Sequence, residues 1–247
     1  RRTAPGWKAS YSKVECPPLS ALVVDRGVLN GVIADDPARA AAIAFKRALE
    51  RAGVRVGNAA TKGRSPAGAT ELASVASPPV RKLIRQMDAE SDNFYAEMLT
   101  KILGAEELGK GTTAAGVTVI RRELSERGVP MVGVRLVDGS GLSTRDRLTA
   151  MALASILTKM ARDPELAPVF RRSLAVAGVS GTLQDRMEKP PARGRVRAKT
   201  GTTAESSALA GYAGPRYVFV LIMNGSPVPT FQARAAQDRF ATLLAGA

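Results

Sequence analysis

Three strand-like runs toward the end of the chain constrain the fold most. Residues 195–201, 206–212 and 217–223 each have the composition of a strand, and only short connections separate them. Parallel strands need a crossover of a dozen or more residues, so these runs predict an antiparallel meander. Residues 231–244 are then predicted to close the chain as a helix.

The preceding part of the chain is mostly helical in pattern. Asp36-Pro37 is a good helix start, because Asp suits the N-cap and Pro the first helical position, and this helix is predicted to end near Arg51. Further helices are predicted over residues 79–89, 94–103, 112–127, 147–162, 164–175 and 182–188. Short strands are predicted within residues 19–29, around a turn at 25–27, and over residues 54–57, 72–77 and 132–137. This order predicts an α/β layered fold, with a helical cluster against one face of an antiparallel sheet.

The chain contains no histidine and a single cysteine, Cys16. These counts exclude, within the chain, a Ser-His-Asp triad, a Cys-His pair, a His-ligated metal, an internal disulfide and a Cys-based zinc site. Any acid–base chemistry must therefore use Lys, Asp, Glu or Tyr. We expect neither a cofactor nor a metal.

The formal net charge of +14 would attract nucleic acid, acidic lipid or another anionic polymer. Aromatic residues make up only 4% of the chain, which disfavours base stacking, and no zinc-finger, RRM or basic-zipper pattern occurs. The basic residues are scattered rather than grouped. A solvated basic surface is therefore expected, with no nucleic-acid partner.

Two short motifs carry candidate chemistry. Ser91-Asp92-Asn93 lies in a break between two predicted helices, and Lys199-Thr200-Gly201-Thr202 lies at the end of the first strand of the meander. Together with S-x-x-K, S-D-N and K-T-G form the signature of class A β-lactamases and penicillin-binding proteins. Each motif also has a purely structural interpretation: Ser91 as a helix cap, Asn93 as a turn former and Lys199 as an exposed cation.

Several longer stretches strengthen the first interpretation. They resemble the D-Ala-D-Ala carboxypeptidase/endopeptidase family of class C low-molecular-weight penicillin-binding proteins, over nearly the whole chain. The stretches are Pro18-Leu19-Ser20-Ala21-Leu22, Glu90-Ser91-Asp92-Asn93-Phe94-Tyr95-Ala96-Glu97, Val137-Asp138-Gly139-Ser140-Gly141-Leu142-Ser143, Gly181-Thr182-Leu183 and Lys199-Thr200-Gly201-Thr202.

The resemblance implies a transpeptidase fold like that of the serine β-lactamases. Residues 1–36 would be the tail of an inserted domain with a return strand, and residues 37–247 a catalytic domain that is incomplete without its N-terminal segment. The implied activity is cleavage of peptidoglycan stem peptides through an acyl-enzyme, outside the cytoplasm and inhibited by β-lactam antibiotics.

The resemblance also implies a role for each motif residue. Ser91 would relay a proton, and Asn93 would donate its amide to the peptide carbonyl of the substrate. Lys199 would supply a fixed positive charge. Thr200 and Thr202 would offer hydroxyls to the substrate carboxylate, and the Thr202 N–H would be one oxyanion donor. Gly201 would leave the strand edge free for the substrate backbone.

The nucleophile and its base lysine are not expected in this chain. The only S-x-x-K, Ser10-Tyr11-Ser12-Lys13, is followed by Pro17-Pro18, which prevents the helix that the pair requires. The segment carrying the true S-x-x-K is expected as a partner of the exposed sheet edge. It is either a separate chain that stays associated after cleavage or a part that this sequence does not include.

Two functions of other classes remain open at this point. The first is a catalytically inactive peptidoglycan-binding or scaffold protein, which would keep Asn93, Lys199 and Thr202 without turnover. The second is a basic nucleic-acid binder. Covalent labelling by penicillin would separate an active enzyme from both, because it requires a working nucleophile.

Overall fold

The computed structural model describes every residue from Arg1 to Ala247 and divides into two units, Arg1–Pro78 and Pro79–Ala247. The predicted boundary after residue 36 rests on a family resemblance rather than on contacts, and it stays a prediction. None of the helices combines the length and hydrophobicity needed to cross a lipid bilayer.

The first unit contains little regular structure. Its elements are α1 (Tyr11–Val14), β1 (Val28–Leu29), β2 (Val32–Ile33) and α2 (Pro37–Arg51). The N-cap of α2 is as predicted, because the Asp36 carboxylate accepts a hydrogen bond from the Arg39 N–H at 3.3 Å. Lys62 and Arg2 form ion pairs with the same carboxylate.

The predicted strands of the first unit were largely wrong. The residues 25–27 form a 3-10 turn, and the strand pair follows this turn instead of flanking it. No strand forms over residues 54–57 or 72–77, where Leu72 and Val75 are 95% and 97% exposed. A short apolar run becomes a strand only where a neighbouring strand completes its hydrogen bonds, and neither run has one.

The second unit contains six helices. They are α3 (Val80–Glu90), α4 (Asn93–Leu108), α5 (Thr113–Glu126), α6 (Ala150–Arg162), α7 (Leu166–Ser173) and α8 (Thr230–Gly246). The helix predicted over residues 182–188 is only a 3-10 turn at Gly181–Leu183. The strand predicted over residues 132–137 is reduced to a single bridge between Arg135 and Arg147.

A four-stranded antiparallel sheet organises this unit. It comprises β3 (Ala175–Val176), β4 (Val196–Thr202), β5 (Ser206–Ala213) and β6 (Tyr217–Asn224), in that order. The predicted meander is confirmed as β4–β5–β6. β3 was not predicted: the helix predicted over residues 164–175 ends at its first residue, and a two-residue strand is too short to show the alternation that identifies a strand.

Helices cover both faces of the sheet, rather than the single face predicted. On one face, Val196, Ala198 and Leu209 are buried against Ala241 and Ala245 of α8. The opposite face carries a second cluster of buried residues from α6, β5 and the end of α7, namely Leu157, Tyr212 and Leu174. Because side chains alternate along a strand, neighbouring residues of β4 face different helices.

Helices α4 and α5 approach each other closely at a glycine. A Cβ atom placed on Gly116 of α5 would lie 1.9 Å from the backbone oxygen of Thr100 in α4 and 2.7 Å from its Cγ2. No real Cβ atom tolerates the first distance. The spacing of the two helices therefore depends on the absence of a side chain at residue 116.

We expect Gly116→Ala to destabilise the protein by about 2 kcal/mol, because forced separation of packed elements outweighs the better helix propensity of alanine. Chemical denaturation of both proteins would measure this. Gly111→Ala is the matched control, because a Cβ there would meet nothing closer than 3.8 Å. An unfolding midpoint of Gly116→Ala equal to that of the control would contradict the packing argument.

Candidate active site

The Ser91-Asp92-Asn93 motif forms the break between α3 and α4. Ser91 ends α3 in the left-handed region, with φ 57° and ψ 48°, and its N–H donates to the Met87 carbonyl oxygen. Asp92 caps α4 by accepting from the Tyr95 N–H at 3.0 Å, and Asn93 is the first residue of α4. The break therefore depends on one residue with a left-handed backbone and on one side-chain cap.

Lys199 reaches this break from β4. Its Nζ donates to Ser91 Oγ at 2.6 Å and to the Thr200 carbonyl oxygen at 2.9 Å. The structure thus brings together the two motifs, 108 residues apart in the sequence. As predicted, residues 199–202 form the end of the first meander strand, and β4 ends at Thr202.

Burial lowers the pKa of Lys199 to about 8, and the negative charge of Asp88 opposes this shift. No carboxylate lies within ion-pair distance of the Lys199 ammonium. An ammonium with mostly neutral partners is costly to bury, which explains the direction of the shift. The group therefore remains mainly cationic at neutral pH but begins to lose its proton just above it.

Asp88 was not singled out by sequence patterns. It lies one turn before Ser91 in α3, and its Oδ2 accepts a hydrogen bond from the buried Ser173 hydroxyl at 2.5 Å. Burial raises the pKa of Asp88, while the Ser173 hydrogen bond and the charge of Lys199 lower it. Only tertiary contacts reveal this residue, because the sequence pattern of a lone Asp on an amphipathic helix predicts a solvated charge.

The edge of β4 near the motif is open. β3 pairs only with Arg197 and Ala198, so no strand lies beside Lys199–Thr202 on that edge. Gly201 and Thr202 are exposed. The Thr200 hydroxyl lies 3.0 Å from the Thr182 hydroxyl, and Arg234 of α8 donates to Thr202 Oγ1 at 3.4 Å. An extended peptide could add to this edge as a strand.

The loop after residue 137 is held by buried carboxylates. Glu97 Oε1 accepts from the Gly139 N–H, the Ser140 N–H and the Ser140 hydroxyl, at 2.8–2.9 Å. Asp138 accepts from the N–H groups of Gly141 and Ser143, both at 2.7 Å. The Ser140 hydroxyl therefore helps to hold this loop by donating to Glu97.

Asp146 lies next to Asp138. Its Oδ1 accepts from the Val137 N–H at 2.6 Å. Burial, together with the hydrogen bond and negative charge of Asp138, raises the pKa of Asp146 to about 7. A proton held by Asp146 against the Asp138 carboxylate removes the repulsion between two adjacent negative charges. No group of three or more acidic or cysteine side chains is placed to hold a metal ion.

The local S-x-x-K of the first unit has the structure that its prolines predict. The helix containing Tyr11 and Lys13 is a single turn that ends at Val14, and both Ser10 and Lys13 are exposed. An exposed serine and lysine on a single helical turn lack the burial that a serine–lysine catalytic pair requires.

Comparisons with known proteins identify what this arrangement is similar to. A family model described as the D-Ala-D-Ala carboxypeptidase 3 (S13) family matches residues 21–246. The D-alanyl-D-alanine carboxypeptidase of Actinomadura sp. (strain R39) is 38% identical over 224 residues, which cover 85% of this chain and 41% of the relative. Carboxypeptidase DacB of Mycolicibacterium smegmatis is 34% identical, over 98% of this chain and 54% of the relative.

The chain therefore spans about half the length of these relatives. Among solved structures, penicillin-binding protein 4 (dacB) from Haemophilus influenzae superposes with a TM-score of 0.73 at 24% identity, over 86% of this chain and 51% of that one. This similarity confirms the predicted penicillin-binding-protein fold. A second structure of the same protein gives the same TM-score at 23% identity.

The shared proton predicts a pH-dependent stability. Asp146 has a pKa of about 7 when folded, above its ordinary value near 3.8, so the folded protein binds this proton more tightly than the unfolded chain does. The contribution of this proton to the free energy of unfolding is therefore complete below pH 4 and is lost as the pH rises through 7. Asn cannot lose a proton in this range. We therefore expect the free energy of unfolding of Asp146→Asn to fall by about 1–2 kcal/mol less than that of the wild type as the pH rises, after allowance for partial solvent exposure.

Urea denaturation at pH 5 and pH 8 would measure this effect. The wild type should lose more stability over this interval than Asp146→Asn. Asp185→Asn is the control, because Asp185 is exposed. Equal losses in the wild type and Asp146→Asn would show that no proton is shared.

Proposed function

The chain belongs to the D-Ala-D-Ala carboxypeptidase S13 family, and we propose that it forms the substrate-binding part of a serine-type D-Ala-D-Ala carboxypeptidase that acts on peptidoglycan stem peptides. The observation that carries this proposal is the 2.6 Å hydrogen bond from Lys199 Nζ to Ser91 Oγ. This hydrogen bond joins the S-D-N and K-T-G motifs. In a chain without histidine, an acyl-transfer reaction needs residues of this kind for proton transfer and charge. Cleavage of peptide cross-links belongs to the same proposal, since that reaction also breaks a bond after D-Ala.

The reaction needs a nucleophilic serine, which we assign to a segment carrying S-x-x-K outside these residues. The oxygen of that serine attacks the carbonyl carbon of the penultimate D-Ala, and the peptide C–N bond breaks as an acyl-enzyme forms. The lysine of S-x-x-K takes the proton of the serine. Ser91 relays that proton from the lysine to the leaving amine, and water then hydrolyses the ester, which releases the shortened peptide acid and restores the serine hydroxyl.

Lys199 supports the proposed reaction through its charge. A cation held beside Ser91 disfavours protonation of a second lysine nearby, which would keep that base neutral. The same charge adds a long-range attraction for an anionic substrate. Since the pKa of Lys199 is about 8, the activity should fall above that pH.

The open edge of β4 is the proposed binding surface. The substrate would lie beside Lys199–Thr202, where Gly201 adds no side chain between the two backbones. The Asn93 amide would donate to a peptide carbonyl of the substrate, and the Thr202 N–H would face the oxyanion. Thr200 and Thr202 would offer hydroxyls to the terminal carboxylate. β-Lactam antibiotics, which carry a carboxylate and an acyl group, would take the same position.

The proposed partner is the N-terminal segment of the same precursor. Its support is the outer edge of β6, which pairs only with β5 and leaves a row of backbone groups without a neighbouring strand. A strand from the S-x-x-K segment would complete the sheet there. Since peptidoglycan lies outside the cytoplasmic membrane, an extracytoplasmic location follows from the proposed substrate.

Replacement of Lys199 tests the catalytic role. In a polypeptide that includes the S-x-x-K segment, Lys199→Ala should lower both penicillin acylation and D-Ala release by about 30- to 1,000-fold, because a charge that stabilises the transition state is lost. Rates of acylation and of D-Ala release would be measured beside Lys189→Ala, an exposed control. Wild-type rates in Lys199→Ala would remove Lys199 from the site.

The chain by itself provides a second test. We expect residues 1–247 alone to form no covalent penicillin adduct, since the only S-x-x-K is exposed on a one-turn helix. Intact mass spectrometry after incubation with penicillin would detect an adduct, and addition of the S-x-x-K segment should restore it. An adduct on the chain alone that disappears in Ser10→Ala would identify Ser10 as the nucleophile. No adduct even with the segment would favour an inactive binding protein.

A further inference from the structure

We propose that Arg234 binds the terminal carboxylate of the substrate, as the charged partner of Thr202. This inference rests on the proposed function and specifies which cation contacts the substrate. Arg234 lies in the first two turns of α8 and donates through Nη2 to Thr202 Oγ1 at 3.4 Å. Sequence motifs do not reveal it, because it is an isolated arginine 32 residues after the threonine.

Strand alternation separates Lys199 from Thr202. Lys199 is in register with Ala210, which packs with the cluster of Leu157 and Tyr212 on one face of the sheet. Thr202 is in register with Ser207 and faces α8 on the other side. A carboxylate held by the Thr202 hydroxyl therefore lies on the opposite face from the Lys199 ammonium.

Lys199 is also occupied. Its Nζ donates to Ser91 Oγ and to the Thr200 carbonyl oxygen, and its side chain is partly buried. The ammonium has a third N–H, but it lies with Lys199 on the face of the sheet opposite the Thr202 hydroxyl. A second cation on the Thr202 face can contact the carboxylate there.

The position of Arg234 is fixed by its own helix. Gln237, one turn later, is fully buried and its Nε2 donates to Ser207 Oγ at 3.0 Å. Asp238 accepts from Arg186 at 2.7 Å. Because residues i and i+3 lie on the same side of a helix, the turn that places Gln237 over Ser207 places Arg234 over the neighbouring Thr202.

The guanidinium group is free to take a ligand. Arg234 is exposed and forms no ion pair with a carboxylate of the protein. Its planar group can donate two parallel N–H bonds to a carboxylate, which a lysine cannot do. Thr202 itself is exposed at the open edge of β4, so a carboxylate bound there would reach both side chains.

Peptide binding by this chain tests the inference without any catalytic step. Acetyl-D-Ala-D-Ala and its C-terminal amide would be titrated into 15N-labelled wild type, Arg234→Ala, Arg234→Lys and Arg239→Ala, with dissociation constants taken from chemical shifts. The wild type should prefer the acid, and Arg234→Ala should bind the acid about ten- to hundredfold more weakly while the amide is unaffected. The affinity of Arg234→Lys for the acid should lie between those of the wild type and Arg234→Ala.

Arg239→Ala is the matched control, because Arg239 is an exposed arginine of the same helix and its loss changes the net charge equally. A parallel loss of affinity in that variant would indicate general charge attraction and overturn the inference. So would an acid preference retained in Arg234→Ala, or none in the wild type. Each of these outcomes leaves the proposed function standing if the longer polypeptide is acylated by penicillin.

Discussion

The site depends on an ammonium group that is held partly out of water between a sheet and the end of a helix. Lys199 projects from β4 toward the break between α3 and α4, where Ser91 accepts its hydrogen bond at 2.6 Å. This contact requires the meander to present residue 199 on the side of the helical cluster and requires α3 to stop at Ser91. The contact between Lys199 and Ser91 therefore depends on the register of the sheet, on the left-handed backbone of Ser91 and on the caps that end α3 and begin α4.

A buried cation needs compensation, and the surrounding residues supply it indirectly. Asp88 acts through space from one turn before Ser91, while Ser173 donates a hydrogen bond to its carboxylate. The neutral acceptors, Ser91 and the Thr200 carbonyl oxygen, do not cancel the charge. With a pKa of about 8, Lys199 is therefore mainly protonated at neutral pH and loses its charge as the pH rises above that value.

Much of this arrangement could be predicted from the sequence, and the omissions have a common physical cause. The meander was predictable because three strand patterns are joined by short connections, and the S-D-N and K-T-G motifs were recognisable by their order and elements. Asp88 and Arg234 were not, because each is a single charged residue on a helix and only tertiary packing gives it a partner. The strand predictions were wrong where an apolar run has no neighbouring strand to complete its backbone hydrogen bonds.

Thr100 of α4 packs against two glycines from different parts of the second unit, Gly116 and Gly139. Its backbone oxygen meets Gly116 of α5, and its Oγ1 would lie only 2.1 Å from a Cβ on Gly139, in the loop held by Glu97. A helix shift that makes room at one glycine therefore changes the space at the other. Substitutions at residues 116 and 139 should accordingly be energetically coupled rather than additive, so that a natural change at one position restricts which residues selection accepts at the other.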